Sequence, residues 1–181
     1  MDSEVKYERI HIFGASGAGT TTLAKALCAK LGIEHFDSDD YFWKTKYTEP
    51  WPREIRLNML RNALEAEESW ILSGAVIDWG NPLISMFDAV VFLSVPNELR
   101  IARLIERERL RYGLEMEPGG TEHDSFNEFI EWANLYEAGG MDVRSRLQQE
   151  TWLTALSCPV LRIEGPGSVQ ESVGKALDFL T

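Results

Sequence analysis

The sequence predicts an α/β protein built on an open, parallel β-sheet, and three observations carry that expectation. Short apolar runs alternate with helix-patterned stretches along the 181 residues, the order that right-handed strand–helix–strand crossovers produce. Two of the runs, Ile10-His11-Ile12-Phe13 and Ala89-Val90-Val91-Phe92-Leu93, show little polar alternation, which suits strands covered on both faces. The first run also leads straight into a glycine-rich loop that opens a helix.

Strands are expected at 7–13, 34–37, 70–75, 89–95 and 160–163. A helix over 21–31 follows the first, and Gly32 supplies its stop. A helix over 52–68 follows the second, with Pro52 in the first turn, where a missing N–H costs nothing. The third and fourth strands are joined by a short connection, 76–88, and a helix over 97–112 comes next. The last helix, 169–180, is entered through Ser168 and Glu171, the spacing of a capping box. Residues 113–140 lie outside this alternation. Their first part, 113–120, reads as a loop. Phe126, Phe129, Ile130, Ala133 and Tyr136 then follow at helical spacing, with Gly139-Gly140 as the stop. A further helix is expected over 142–156. At about 100–200 residues per domain, 1–181 reads as one domain with 113–140 inserted in it.

Composition narrows the function classes. Lys and Arg number 18 against 29 Asp and Glu, a formal net charge of −11. No basic face is available for a nucleic-acid backbone, so no nucleic-acid partner is expected. Any anionic ligand must be held by local donors. Cys28 and Cys158 are too few for a disulfide framework or a zinc site and read as reduced thiols. No apolar run approaches the roughly 20 residues that span a bilayer. Residues 1–6 contain no signal-peptide core. A cytoplasmic protein without membrane contact is the expectation.

Residues 10–24 carry the chemistry. Gly14, Ala15, Ser16, Gly17, Ala18, Gly19, Thr20, Thr21 and Thr22 lie between an apolar strand and a helix. In that setting small residues let successive backbone N–H groups turn inward around a phosphate. The helix adds its N-terminal N–H groups and the positive end of its dipole. Gly14, Gly19 and Thr21 fit the pattern G-x-x-x-x-G-K-[ST], with the Thr21 hydroxyl available to Mg²⁺. Thr20 stands at the lysine position and supplies no charge. A tight turn rich in small residues, or a loop that binds nucleotide without chemistry, are the alternatives.

With this loop the chain resembles the small P-loop kinases of the adenylate-kinase-like group, which include adenylate, cytidylate, shikimate and gluconate kinases. It is most similar to bacterial adenylate-kinase-like or AAA-family ATPase proteins whose loop reads G-A-S-G-x-G-T-T-T. Some archaeal-type cytidylate kinases also carry threonine at the lysine position. The resemblance implies a P-loop NTPase three-layer sandwich, a five-stranded parallel sheet in order 2-3-1-4-5, and a helical lid after the fourth strand. It implies ATP and Mg as cofactors, with a nucleotide and a small-molecule acceptor as the binding partners.

The resemblance also assigns residues. Asp37 and Asp39 match an Asp-x-Asp at the carboxyl edge of the sheet, with Asp39 as the preferred general base. Capping of the next helix by Asp37 or Ser38 is the plainer role. Gly74 would let an acceptor approach the backbone, or it is an ordinary strand-end glycine, and Asp78 and Trp79 could reach the same acceptor. Arg107 and Arg111 share a helix face, and Arg144 and Arg146 follow the lid. Two or three of these four are expected on the phosphates, replacing the missing lysine. Arg53 and Arg56 are candidates for a phosphorylated acceptor. Gly165 and Gly167 could face an adenine, or only make the turn before Ser168. His11, His35 and His123 have no metal-ligand companions, and His11 reads as a satisfied core residue. The expected activity is phosphoryl transfer from ATP to a small hydroxyl compound. The rivals are a nucleotide-binding module and a slow NTPase that docks a protein through the acidic stretch 115–124.

Overall fold

A computed structural model describes residues 6–165 and 167–181. The chain runs β1 (Arg9–Gly14), α1 (Thr20–Leu31), β2 (Glu34–Asp37), α2 (Ser38–Phe42), β3 (Trp43–Thr45), β4 (Glu49–Pro50), α3 (Arg53–Glu65) and β5 (Trp70–Ser73). It continues through a 3₁₀ turn (Asn81–Met86), β6 (Ala89–Ser94), α4 (Asn97–Tyr112), a second 3₁₀ turn (Gly113–Met116), α5 (His123–Asn134), α6 (Arg146–Leu153), β7 (Val160–Glu164) and α7 (Val169–Leu180).

The main sheet is parallel throughout, in order β2-β5-β1-β6-β7. Counting only the strands of this sheet, that is 2-3-1-4-5, as expected. Ile10 and Ile12 of β1 point to one face and pack with Leu23, Ala24 and Leu27 of α1 and Val173 and Ala176 of α7. Phe13 points to the other face and joins Leu60 and Leu64 of α3, Trp70 and Leu72 of β5, and Trp152 of α6. Both faces are thus covered, and burial of these apolar side chains is the main stabilising term. His11 lies in the second layer, fully buried and stacked against Phe13 and Phe87. Its Nδ1 is 3.0 Å from the Leu72 carbonyl oxygen, and burial pushes its pKa down to about 4. It is a neutral core residue.

Local signals hold at α1, closed by Gly32 at φ 69°, and at α7, whose Ser168–Glu171 capping box is complete. Other boundaries move. The helix expected over 52–68 spans Arg53–Glu65, with Pro52 as its N-cap rather than inside the first turn. The helix expected over 142–156 starts only at Arg146, because the Ser145 hydroxyl accepts from Gln148 N–H and fixes the N-terminus there. Within 113–120 the expected loop is partly wound into the second 3₁₀ turn, and α5 ends at Asn134, before the glycine pair. The β3–β4 hairpin, with Tyr47 at φ 65° between its strands, was not expected at all. Both cysteines are free thiols, and among the described residues no helix is long and apolar enough to cross a membrane.

Candidate functional site

The carboxyl ends of β1, β2 and β5 converge on the glycine-rich loop. Gly17 has φ 81°, and a Cβ there would stand 2.6 Å from the Arg100 carbonyl oxygen, so the loop lies directly on the first turn of α4. Gly19 has φ 96° and caps α1 without a side-chain hydrogen bond. The N–H groups at the start of α1 therefore remain available to an anion. Thr20 and Thr21 are half-buried and Thr22 is exposed.

Two carboxylates flank this loop. Thr21 Oγ1 donates to Asp37 Oδ2 at 3.0 Å, and Asp39 N–H donates to Asp37 Oδ1 at 3.1 Å. Asp37 thus caps α2 and holds the loop hydroxyl at once. Asp39, two residues on, makes no side-chain hydrogen bond to protein among the described residues. Its carboxyl sits in a recess that still admits solvent. The protein around it raises its pKa first and the Asp37 charge raises it further, while the Arg144 guanidinium pulls it down. Gly74, at φ 96°, closes β5 over α2. The position its Cβ would take is occupied by the Ser38 side chain, so that direction is not open to a ligand.

Two clefts border this centre. The first, of about 210 Å³, lies beside Gly19 and Thr22 between Arg103, Val95, Gly165 and Ser172, over apolar walls from Leu23, Leu93 and Ile163. Gly167 also lines it. The second, of about 380 Å³, lies beyond Asp39 and is lined by Arg53, Arg56, Arg144, Phe42, Trp79 and Trp132, with Asp78, Asp142 and Gln148 at its border. The Arg56 guanidinium carbon is 4.1 Å from the Phe42 ring centre and 5.3 Å from that of Trp79, and its buried Nε has no partner. Arg144 lies 5.4 Å from the Trp132 ring centre and forms no ion pair among the described residues. Arg53 Nη2 donates to the Asp78 carbonyl at 2.5 Å, and Asp78 itself is held at φ 68°. Such a backbone costs about 1–3 kcal/mol for a residue other than glycine.

The remaining arginines sit elsewhere than expected. Arg107 and Arg111 do share a face of α4, but both grip Glu108, which is only 5% exposed. Arg107 Nη2 is 2.6 Å from Glu108 Oε1, and Arg111 Nη1 is 3.3 Å from Oε2. Arg146 pairs with Glu137 at 3.7 Å. Of the four candidates, only Arg144 lines a cleft. Two arginines absent from the expected set reach the loop instead. Arg100 Nη1 donates to the Ser16 carbonyl at 3.0 Å, and Arg103 Nη1 to the Ala18 carbonyl at 3.4 Å. Their signal was present in the sequence, since Arg100 and Arg103 stand one helical turn apart directly after a strand end.

Among the described residues no group of three or more His, Cys, Asp or Glu could enclose a metal. The Thr21 hydroxyl and the Asp37 carboxylate form a hard oxygen pair. That set suits Mg²⁺, which takes few protein ligands and completes its octahedron with water and phosphate.

The architecture is that of the α/β P-loop kinases. It covers 95% of this chain and 92% of a shikimate kinase from Acinetobacter baumannii solved with shikimate, with a TM-score of 0.57 and 23% identity. It covers 98% of this chain and 93% of a gluconokinase from Sinorhizobium meliloti 1021, with a TM-score of 0.55 and 16% identity. At the level of sequence the chain belongs to the family of the uncharacterized protein YqaC of Bacillus subtilis (strain 168). The two are 48% identical over 174 residues, 96% of this chain and 98% of that protein. A cytidylate kinase of Archaeoglobus fulgidus is 27% identical over 114 residues, 55% of this chain and 62% of that one. No family model matches the chain.

Proposed function

We propose that this chain is a single-domain, ATP- and Mg-dependent phosphotransferase of the adenylate-kinase-like group, acting on a small anionic acceptor that carries a hydroxyl. The observation that carries the reading is the hydrogen-bonded path Thr21–Asp37–Asp39. It ties the glycine-rich loop and the start of α1 to the N-terminus of α2, where the Asp39 carboxylate feels the charge of Arg144 on the wall of the second cleft.

The roles follow from position. The first cleft has the apolar floor and glycine turn that a nucleotide base needs, with the Arg103 guanidinium available to cover a ring face. Phosphates would run along residues 14–22 over the N-terminus of α1. Thr21 and Asp37 would hold Mg²⁺, whose chemistry is to bridge phosphate oxygens and neutralise charge on the transferring group. Arg53, Arg56 and Arg144 would bind an acceptor carboxylate or phosphate, and Trp79 and Trp132 its carbon skeleton. Asp39 would orient the acceptor hydroxyl and take its proton. Its raised pKa makes it a stronger base than an ordinary aspartate. Residues 113–140 would act as a lid that excludes water, and recruiting Arg107 or Arg111 would require them to leave Glu108.

The reading is tested by following ADP release with Mg-ATP against nucleosides, nucleoside monophosphates, shikimate, gluconate and no acceptor. Release that depends on one acceptor and disappears in Asp39→Ala supports transfer and names the acceptor class. ATP binding without acceptor-dependent release, for any of these, favours a nucleotide-binding module. That second reading draws on Thr20 and on the pairing of Arg107 and Arg111 with Glu108.

A further inference from the structure

The loop lacks its lysine, yet a full positive charge lies directly beneath it. Arg100 has no exposed surface, and its guanidinium stays protonated in any folded protein. Nη1 donates to the Ser16 carbonyl at 3.0 Å and Nη2 to Asn97 Oδ1 at 2.6 Å. Nε is buried with no partner. The nearest carboxylate is incomplete compensation: Glu137 Oε1 stands 3.8 Å from Nη2, is 39% exposed, and is shared with Arg146. The Tyr136 ring, 4.6 Å from the guanidinium carbon, offsets part of the cost, but a buried cation with a spare donor and a shared, half-exposed counter-ion remains costly to keep, which asks for a reason.

The peptide geometry supplies one. The Ser16 carbonyl and the Gly17 N–H are two ends of one peptide unit. A charged donor on the carbonyl end polarises that unit and strengthens the N–H at its other end. The Gly17 N–H has no protein acceptor among the described residues. Arg103 repeats the arrangement more weakly, through the Ala18 carbonyl at 3.4 Å and the Gly19 N–H. The Gly17–Arg100 backbone approach leaves no room for the loop to slide off this support.

We infer that Arg100 is a positioning residue of the loop, a guanidinium that grips the Ser16 carbonyl from behind and transmits positive character through the peptide unit to the phosphate-facing N–H, in place of the missing lysine. This rests on the reading of the loop as a nucleotide site. It differs from a lysine in one respect: the charge never touches the phosphate.

Calorimetric titration of the full chain with ADP and with inorganic pyrophosphate, which carries charge but no base, tests it. If the wild type binds neither, the nucleotide reading itself falls, whatever Arg100 does. Given binding, Arg100→Met should weaken both ligands by about tenfold or more, the scale of one charge-assisted bond. Glu137→Gln, which removes the partial counter-ion, should tighten both by about twofold to fivefold. Glu68→Gln, at the opposite end of the sheet, sets the effect of net charge alone. Glu137→Gln also releases Arg146, so it is measured in an Arg146→Met background, where tighter binding has no source in a merely structural Arg100. If circular dichroism shows that Arg100→Met is unfolded, Glu137→Gln decides alone. Affinities equal to those of Glu68→Gln overturn the inference.

Discussion

The two clefts beside the Thr21–Asp37 hydrogen bond are built from opposite materials. The first is apolar, with backbone glycines and one guanidinium at its rim. The second is cationic, with three arginines, two of them laid against aromatic rings. A chain with net charge −11 has placed three guanidinium groups on the wall of the second cleft, while at the loop its positive charge lies behind the backbone, in Arg100 and Arg103, and not at the position where a P-loop lysine would stand. The lesson is that the donor side can be served by oriented backbone dipoles, which are the same for every nucleotide. A small acceptor has no such repeating handle and must be caught by side chains. On the proposed reading, acceptor identity would be set by Arg53, Arg56, Arg144 and their aromatic neighbours.

That division is open to attack from the largest effect downward. Asp39→Asn should lower acceptor-dependent transfer by about 100-fold or more while leaving ADP affinity unchanged. A parallel loss of ADP binding would show that the clefts are not separate. Arg144→Met should raise the acceptor KM by about tenfold, the scale of a lost charge-assisted bond, again without touching ADP. Arg103→Ala should do the reverse, weakening ADP about threefold to tenfold by loss of its loop contact and of the proposed stacking on the base, with the acceptor KM constant. The smallest effect concerns pH. Asp39 has a raised pKa, so the folded state binds its proton more tightly than the unfolded chain does. That disfavours folding above the folded-state pKa, and the penalty vanishes as pH falls below the unfolded value. Asp39→Asn should therefore raise the melting temperature slightly at neutral pH, by at most about 2 °C, and lose that advantage in acid. A scan at two pH values measures it. A variant that melts lower at neutral pH would mean that Asp39 is held by favourable contacts instead.

The sequence carried the sheet well because its signals are local. The unbroken apolar runs of β1 and β6, Gly32 after α1 and the Ser168–Glu171 pair each act within a few residues. The β3–β4 hairpin was illegible, since strands of three and two residues carry no period. The ion pairs of the arginines were illegible for a different reason. A guanidinium takes whatever acceptor the tertiary structure sets opposite it. Spacing held the clue: Arg100, Leu104 and Glu108 recur every four residues and form the buried face of α4. Charged residues at both ends of the buried face of α4 were the signal that these charges have internal partners. Gly74 shows the same limit, because nothing near it in the chain announces Ser38.

The aromatic lining of the second cleft also makes it an optical sensor. Of the six tryptophans, Trp79 and Trp132 border this cleft, each with an arginine near its ring, while Trp70 and Trp152 are buried in the core and give a steady background. A ligand that draws Arg56 or Arg144 toward itself changes the field on an indole without any label being attached. Emission intensity and wavelength then report occupancy directly, so a library of candidate acceptors can be ranked by fluorescence before turnover is ever measured.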